Sequence, residues 1–279
     1  MIQRAVRRCS ALFVVVTVVC GGAATGQDVR IYTPVHDANA ETRTNSIVAR
    51  SQTLFHAGKV YDHIDTIGEV IIFDPVNNQF TLLSTQREMV ATAHFDEIMR
   101  RLTIARDELE KSLAQPHDQT NPRTNRTLAA LKFQLHPKFE EAWDPSQQQL
   151  SLISPHMSYV VRCSKPERAK FTNIYLRYAD WMCRLNYVLH PHAVMPGPRL
   201  AVNASLRKRQ MIPVEVQLRA DIEAGIHLRA EHQIQWDLGP TGRKQIHHWE
   251  TLLRKETLRQ VPLEKYQAAF VLGQAKKRR

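Results

Sequence analysis

Between residues 51 and 92 the chain reads as five short runs rich in Val, Ile, Thr, Phe and Tyr, each closed by turn residues. SQTLF is followed by HAG, KVYDHID by TIG, EVIIF by DPVNN and QFTLLS by TQR, and EMVAT closes the series. Links this short cannot hold the crossover that parallel strands need, so the runs predict an up-and-down antiparallel meander. One of the turns is then repeated. FDPVNNQFTLLS (Phe73 to Ser84) returns as WDPSQQQLSLIS (Trp143 to Ser154). Proline fixes φ and offers no N–H, and the preceding Asp can cap the bend through its carboxylate, so both segments predict the same hairpin. Common turn chemistry between half-buried strands explains the likeness without ancestry.

The period changes after Thr92. Phe95, Ile98, Met99, Leu102, Ala105, Leu109 and Leu113 share one helical face. Gln115 to Asn125 reads as an exposed loop, and Leu131, Phe133 and Leu135 alternate as a strand would. Met157, Tyr159, Val161 and Cys163 alternate again before KFTNIYLRYADWMCRLNYVL, whose Phe171, Ile174, Tyr175, Tyr178, Trp181, Met182, Leu185, Val188 and Leu189 form one broad apolar stripe. RLAVNASLRKRQ reads as a shorter helix. Two long strands follow, over Val214 to Ala220 and Ile226 to Trp236, with His232 the polar intruder on the apolar side of the second. Ile246, Trp249, Leu252 and Leu253 then return to helical spacing.

The N-terminus bears on compartment. Arg4, Arg7 and Arg8 precede an apolar run from Cys9 to Cys20, and Ala24 and Gly26 stand where a small-x-small exit would be. Charged start, short apolar core and small-residue exit together predict a secretory signal over residues 1–26, and so an extracytoplasmic, periplasmic or secreted location. The remainder divides into an extended arm (27–49), one α+β domain (50–272) and a basic tail (273–279) carrying Lys276 to Arg279. Nothing after the leader is long and apolar enough to span a bilayer. Of the formal charge of +11, three positives belong to the leader and four to the tail, so the body is mildly basic. Cys163 and Cys183 remain outside the leader, and an oxidising compartment could join them as a disulfide or leave them free.

Motifs for chemistry are scarce. The chain has no nucleophile elbow, Walker loop, dinucleotide glycine fingerprint, C-x-x-C or H-E-x-x-H. His190, Pro191 and His192 form a weak H-x-H in a turn, and His247-His248 precedes Glu250. In KVYDHID, Asp62 and Asp65 flank His63 and read as a solvated strand edge. Arg207, Lys208 and Arg209 could grip phosphate, yet positive charge also suits a helix C-terminus. His232 reads as a hydrogen-bonded core histidine. No catalytic, cofactor or metal residue is assigned, and no cofactor or nucleic acid is expected.

GEVIIFDPVNNQFTLLS and MIPVEVQLRADIEAGIHLRAEHQIQW, in this order around an aromatic helix, resemble the extracytoplasmic half-barrel proteins of the LolA-like lipoprotein-carrier type. The second stretch is similar to the Pro-Val strand and long return strand near the end of those proteins. The likeness is topological and covers about two thirds of the chain after the leader. It implies a curved antiparallel sheet cupping helices around an apolar cavity that carries acyl chains; no functional residue is matched position by position.

The expected architecture is therefore α+β: a curved, mostly antiparallel, half-barrel-like sheet of about nine or ten strands with helices packed on one face. The expected function is that of a non-enzymatic exported envelope protein binding an apolar ligand or a protein partner, with Tyr175, Tyr178 and Trp181 lining the cavity. Two alternatives stay open. One is a hydrolase or metal-dependent enzyme, in which His190, His192, His232 or His247 would converge with carboxylates. The other is a basic adaptor for anionic polymer or nucleic acid.

Overall fold

The computed structural model describes residues 28–40, 46–117, 120–190, 193–220 and 225–269. The signal expected at 1–26 and the basic tail at 273–279 lie outside the described residues. The predicted meander is present and has one strand more than expected. β1 (Val29–Asp37), β2 (Ile47–His56), β3 (Lys59–Ile64), β4 (Glu69–Asp74), β5 (Gln79–Ser84) and β6 (Met89–His94) each pair antiparallel with the next. The additional strand is β1, which falls in the segment expected as an extended arm. Its buried Val29, Ile31 and Thr33 alternate with half-buried Arg30 and Tyr32, the period of a strand with one face in the core.

A long helix follows as the spacing predicts, α1 (Phe95–Ala114), with Asp96 and Glu97 in its first turn where the helix dipole favours negative charge. Next comes a correction. Residues 122–135 form a helix, α2 (Pro122–Leu135), and the alternation of Leu131, Phe133 and Leu135 is no strand. The Asn121 side chain accepts from the backbone N–H groups of Arg123 and Thr124, and Pro122 occupies the first turn. Asn before Pro is thus a helix start, not merely loop punctuation. β7 (Glu140–Asp144), β8 (Gln149–Ile153) and β9 (Met157–Ser164) then add three antiparallel strands.

The repeated sequence folds into the same bend twice. Asp74 accepts from the backbone N–H groups of Val76 and Asn77, and Asp144 from those of Ser146 and Gln147. Asn78 and Gln148 both take left-handed backbone, at φ 51° and 49°. The Asn78 carbonyl accepts from Phe95 N–H and the Gln148 carbonyl from Cys163 N–H, each at 2.9 Å. The two hairpins lie in opposite halves of one sheet.

α3 (Phe171–Leu189) and α4 (Pro196–Arg209) lead into β10 (Ile212–Ala220), β11 (Ile226–Glu231) and β12 (Gln233–Gln235). The single long strand expected over residues 226–236 is broken at His232, and the cause lies in β1. Registers Val35↔Ala230 and Tyr32↔Gln233 leave a gap opposite Thr33 and Pro34. Pro34 has no N–H to give to the ladder, and the His232 N–H turns instead to the Val214 carbonyl. The sheet runs β13-β6-β5-β4-β3-β2-β1-β11-β10-β9-β8-β7, with β12 also on β1, and is not closed. β13 (Arg259–Gln260) is a two-residue strand parallel to β6. The fold is thus α+β around a curved, mostly antiparallel sheet of thirteen strands. The count exceeds nine or ten because β1 and the short β12 and β13 join it.

The main core lies between the inner sheet face and α1, α3 and α4. α5 (Gly239–Leu253) instead covers the outer face, where Tyr61, Val70, Ile72 and Leu83 meet Ile246 and Trp249. The chain then rounds the β6 edge through β13 and returns to the inner side as α6 (residues 263–269), which buries Leu263 and Tyr266. The opposite edge, β7, is exposed and carries Glu140 and Glu141, charges that discourage pairing with another chain. Among the described residues no helix is long and apolar enough to cross a membrane.

Candidate functional site

Three rows of side chains cross the inner face of β1 to β6 and differ in chemistry. Val29, Phe55, Val60, Phe73, Phe80 and Ala93 stand opposite one another and are all buried. Ile31, Thr53, Asp62, Ile71, Leu82 and Ala91 form the next row, and Thr33, Ser51, Ile64, Glu69, Ser84 and Met89 the third. Neighbouring rows are two residues apart along each strand, about 7 Å. Within two such steps the surface passes from wholly apolar to mostly polar.

α3 packs on the apolar row. Phe171 and Tyr178 meet Phe55 edge-on at centroid distances of 4.9 and 5.7 Å, and Tyr175 lies at 6.3 Å. Beyond that contact the helix leaves a cavity of about 320 Å³ over the second and third rows. The sheet supplies Ile31, Thr33, Thr53 and Asp62, α3 supplies Tyr175, Tyr178, Ala179 and Met182, α4 supplies Arg199, and His232 closes the side where β11 breaks from β12. The break that Pro34 imposes therefore also sets a histidine at the cavity.

Asp62 is 6% exposed and has no cation beside it. Thr53 Oγ1 donates to its Oδ1 at 2.8 Å, and the Tyr178 hydroxyl donates as well. Burial raises the Asp62 carboxyl, and these bonds only partly oppose the rise. Tyr178 is pushed well up by burial and then by Asp62. His232 goes the other way: burial lowers it to about 4, with the Arg199 charge adding to the fall. Its Nδ1 lies 2.8 Å from Thr33 Oγ1. The cavity thus joins a carboxyl held toward its protonated form, a neutral imidazole and a guanidinium, above apolar walls.

The sequence-predicted residues divide. Tyr175 and Tyr178 line the cavity. Trp181 does not: it stacks on Phe95 at 3.8 Å, with Arg184 over its ring at 5.2 Å, because the flank of so broad a stripe faces α1 instead of the sheet. Cys163 and Cys183 are free thiols and form no disulfide. Cys163 Sγ points to the Val161 carbonyl along its strand, and Cys183 Sγ to the Asp180 carbonyl one turn back.

The histidines are dispersed. His190 lies by Glu69 and Tyr266 at a different place, His247 is exposed on α5, and His192 lies outside the described residues. His190 thus shares a small pocket with the buried Glu69, and His232 the inner cavity with the buried Asp62, but no group of three metal-ligating side chains exists among the described residues. Arg207 and Arg209 are engaged within the fold, with Asp180 and Glu141, each at 2.7 Å. A larger groove of about 550 Å³ between α1 and α3 is walled by Ile104, Leu109 and Tyr187 but lacks the inner cavity's buried polar groups.

Asp62, expected on a solvated strand edge, is instead buried on the inner face, while Thr53, Thr33 and Arg199 escaped the sequence reading. In KVYDHI the Asp62 phase also contains Val60 and Ile64, the one available hint that it faces inward. No family model matches the chain, and no curated protein matches it in sequence.

Proposed function

We propose that this chain is a non-enzymatic, extracytoplasmic binding protein that holds one small, largely apolar molecule between its curved sheet and α3. The observation that carries the reading is the cavity itself. At about 320 Å³ it falls at the lower end of the range for ligand sites, and it joins apolar walls to a few convergent polar groups, as such sites do. The arginine-led apolar segment of residues 1–26 supports export, and the half-barrel resemblance supports carriage of an acyl-like body.

The test is native mass spectrometry of the purified chain with titration by N-phenyl-1-naphthylamine, a neutral probe that brightens in apolar surroundings. Saturable uptake of one probe per chain, lost when Ala179→Trp fills the cavity, is the expected result. No co-purifying molecule and no saturable uptake would overturn the reading.

A second reading rests on a carboxyl, Asp62, and an imidazole, His232, lining one cavity, side chains of the kinds that general acid–base catalysis uses. A covalent change in bound ligand, read by nuclear magnetic resonance and abolished by Asp62→Asn with binding intact, would establish it. Recovery of unchanged ligand would remove it.

A further inference from the structure

Arg199 stands in the first half of α4 and borders the cavity beside Tyr175, Cys183, Asn186 and His232. Among the described residues no carboxylate pairs with it. The acids that meet α4 are already taken. Asp180 receives Arg207 Nη2 at 2.7 Å and Asn203 Nδ2 at 2.8 Å. Glu141 receives Arg209 at 2.7 Å and Ser205. Asp62, the only acid among the described residues lining the cavity, is bonded by Thr53 and Tyr178. Arg199 also contributes to the low position of His232 and acts on Tyr175 and Cys183, so its charge is felt across the cavity. A half-buried guanidinium with no counter-charge is a standing cost to the fold. It is also the side chain best matched to a planar or tetrahedral oxyanion, which it can grip through two N–H bonds.

The apolar part of the lining is Ile31, Ala179, Met182 and the rings of Tyr175 and Tyr178. We propose that Arg199 is the head-group subsite of this cavity, and that its ligand is a single-chain amphiphile with one oxyanion, its apolar body lying along α3. Carboxylate and phosphate monoester share that chemistry. The volume suits one chain and not a two-chain lipid. This inference rests on the binding reading above and adds the ligand class and the residue that selects it.

The full chain, with N-phenyl-1-naphthylamine bound, is titrated at pH 7.5 with decanoic acid, its methyl ester, decanol and decyl phosphate. Decanoate is expected to displace the probe at least tenfold more tightly than the ester or alcohol. Arg199→Met should remove that preference while leaving ester affinity within twofold, and Arg199→Lys should keep part of it. A tighter decyl phosphate identifies the head group as a phosphate monoester, a weaker one as a carboxylate. Equal displacement by acid and ester in the unsubstituted chain overturns the subsite but leaves the cavity reading standing. Equal loss of acid and ester binding in both Arg199 variants also overturns it, by making the residue structural. If the probe itself fails to bind, both proposals fall together.

Discussion

Glu69 opens β4 in the most polar of the three inner rows and is 2% exposed. Tyr266 of α6 donates to its Oε1 at 2.7 Å. Burial raises this carboxyl to about 7, against partial opposition from Tyr266 and Arg87. An unfolded chain ionises the same group near its ordinary value, so between the two values the folded chain holds a proton that the unfolded one has lost. Stability from this residue is therefore complete below the ordinary carboxylate range and declines as pH rises toward 7. The slope approaches 1.4 kcal/mol per pH unit, for a total of about 3 kcal/mol. Glu69→Gln keeps an acceptor for Tyr266 and removes the titration. Urea unfolding at pH 5 and pH 8 should show the variant matching the parent at the lower pH and exceeding it at the higher. A parent whose midpoint does not move across that interval contradicts the assignment.

Asp62 shows where reading at this scale stops. Its strand alternates Val60, Asp62 and Ile64 with Tyr61 and His63, and both phases contain apolar residues. Which phase faces inward depends on pairing Thr53↔Asp62↔Ile71 across three strands, and on α5 covering Tyr61 from outside. Neither fact is local. Tyr175 and Tyr178 were legible because a helical stripe declares its own inward face. Arg199 was not, because a lone arginine early in a weakly amphipathic helix differs in no local respect from a solvated one.

Among the elements, the repeated hairpins were the most legible, since their turn chemistry lies within a few consecutive residues. Burial then separates them. Asp74 is 4% exposed and also meets Lys59 Nζ at 3.2 Å and Asn77 Nδ2 at 2.9 Å; Asp144 is exposed and adds only the Ser146 hydroxyl. Burial alone would raise the Asp74 carboxyl, but the Asn77 bonds and Lys59 outweigh it and hold the group below its ordinary value. Its contribution is present above that value and is lost as pH falls through the lowered one. Asp74→Ala should cost about 1.5–3 kcal/mol at neutral pH, read as a lower urea midpoint at unchanged slope. Asp144→Ala should move the midpoint less. Equal shifts would show that turn geometry, not burial, sets the cost. α2 misled for a related reason: three alternating residues are too few to separate period 2 from period 3.6, and Asn121-Pro122 should have decided it.

At the scale of the whole molecule, β1 was the element least visible in the sequence. A strand carrying Pro34 reads as an edge or a linker, yet it lies between β2 and the β11–β12 pair. That position is tolerated because the ladder opens opposite the proline. A chain lacking residues 28–37 should lose its cooperative unfolding transition and near-ultraviolet circular dichroism while binding 1-anilinonaphthalene-8-sulfonate. A single sharp transition in the shortened chain would show that the two halves of the sheet stand without their seam.

β1 thus has one neighbour made at once and another, with Val35 opposite Ala230, made long afterwards. Until the late neighbour arrives, a row of unpaired backbone groups stays open in the middle of what will become the sheet, and distant contacts of this kind are slow to form. The vulnerable interval in this protein's life is that wait. A second copy caught in the same interval offers the same missing strand, so crowding during folding, more than heat afterwards, is the condition under which exchange of β1 between molecules becomes the competing outcome.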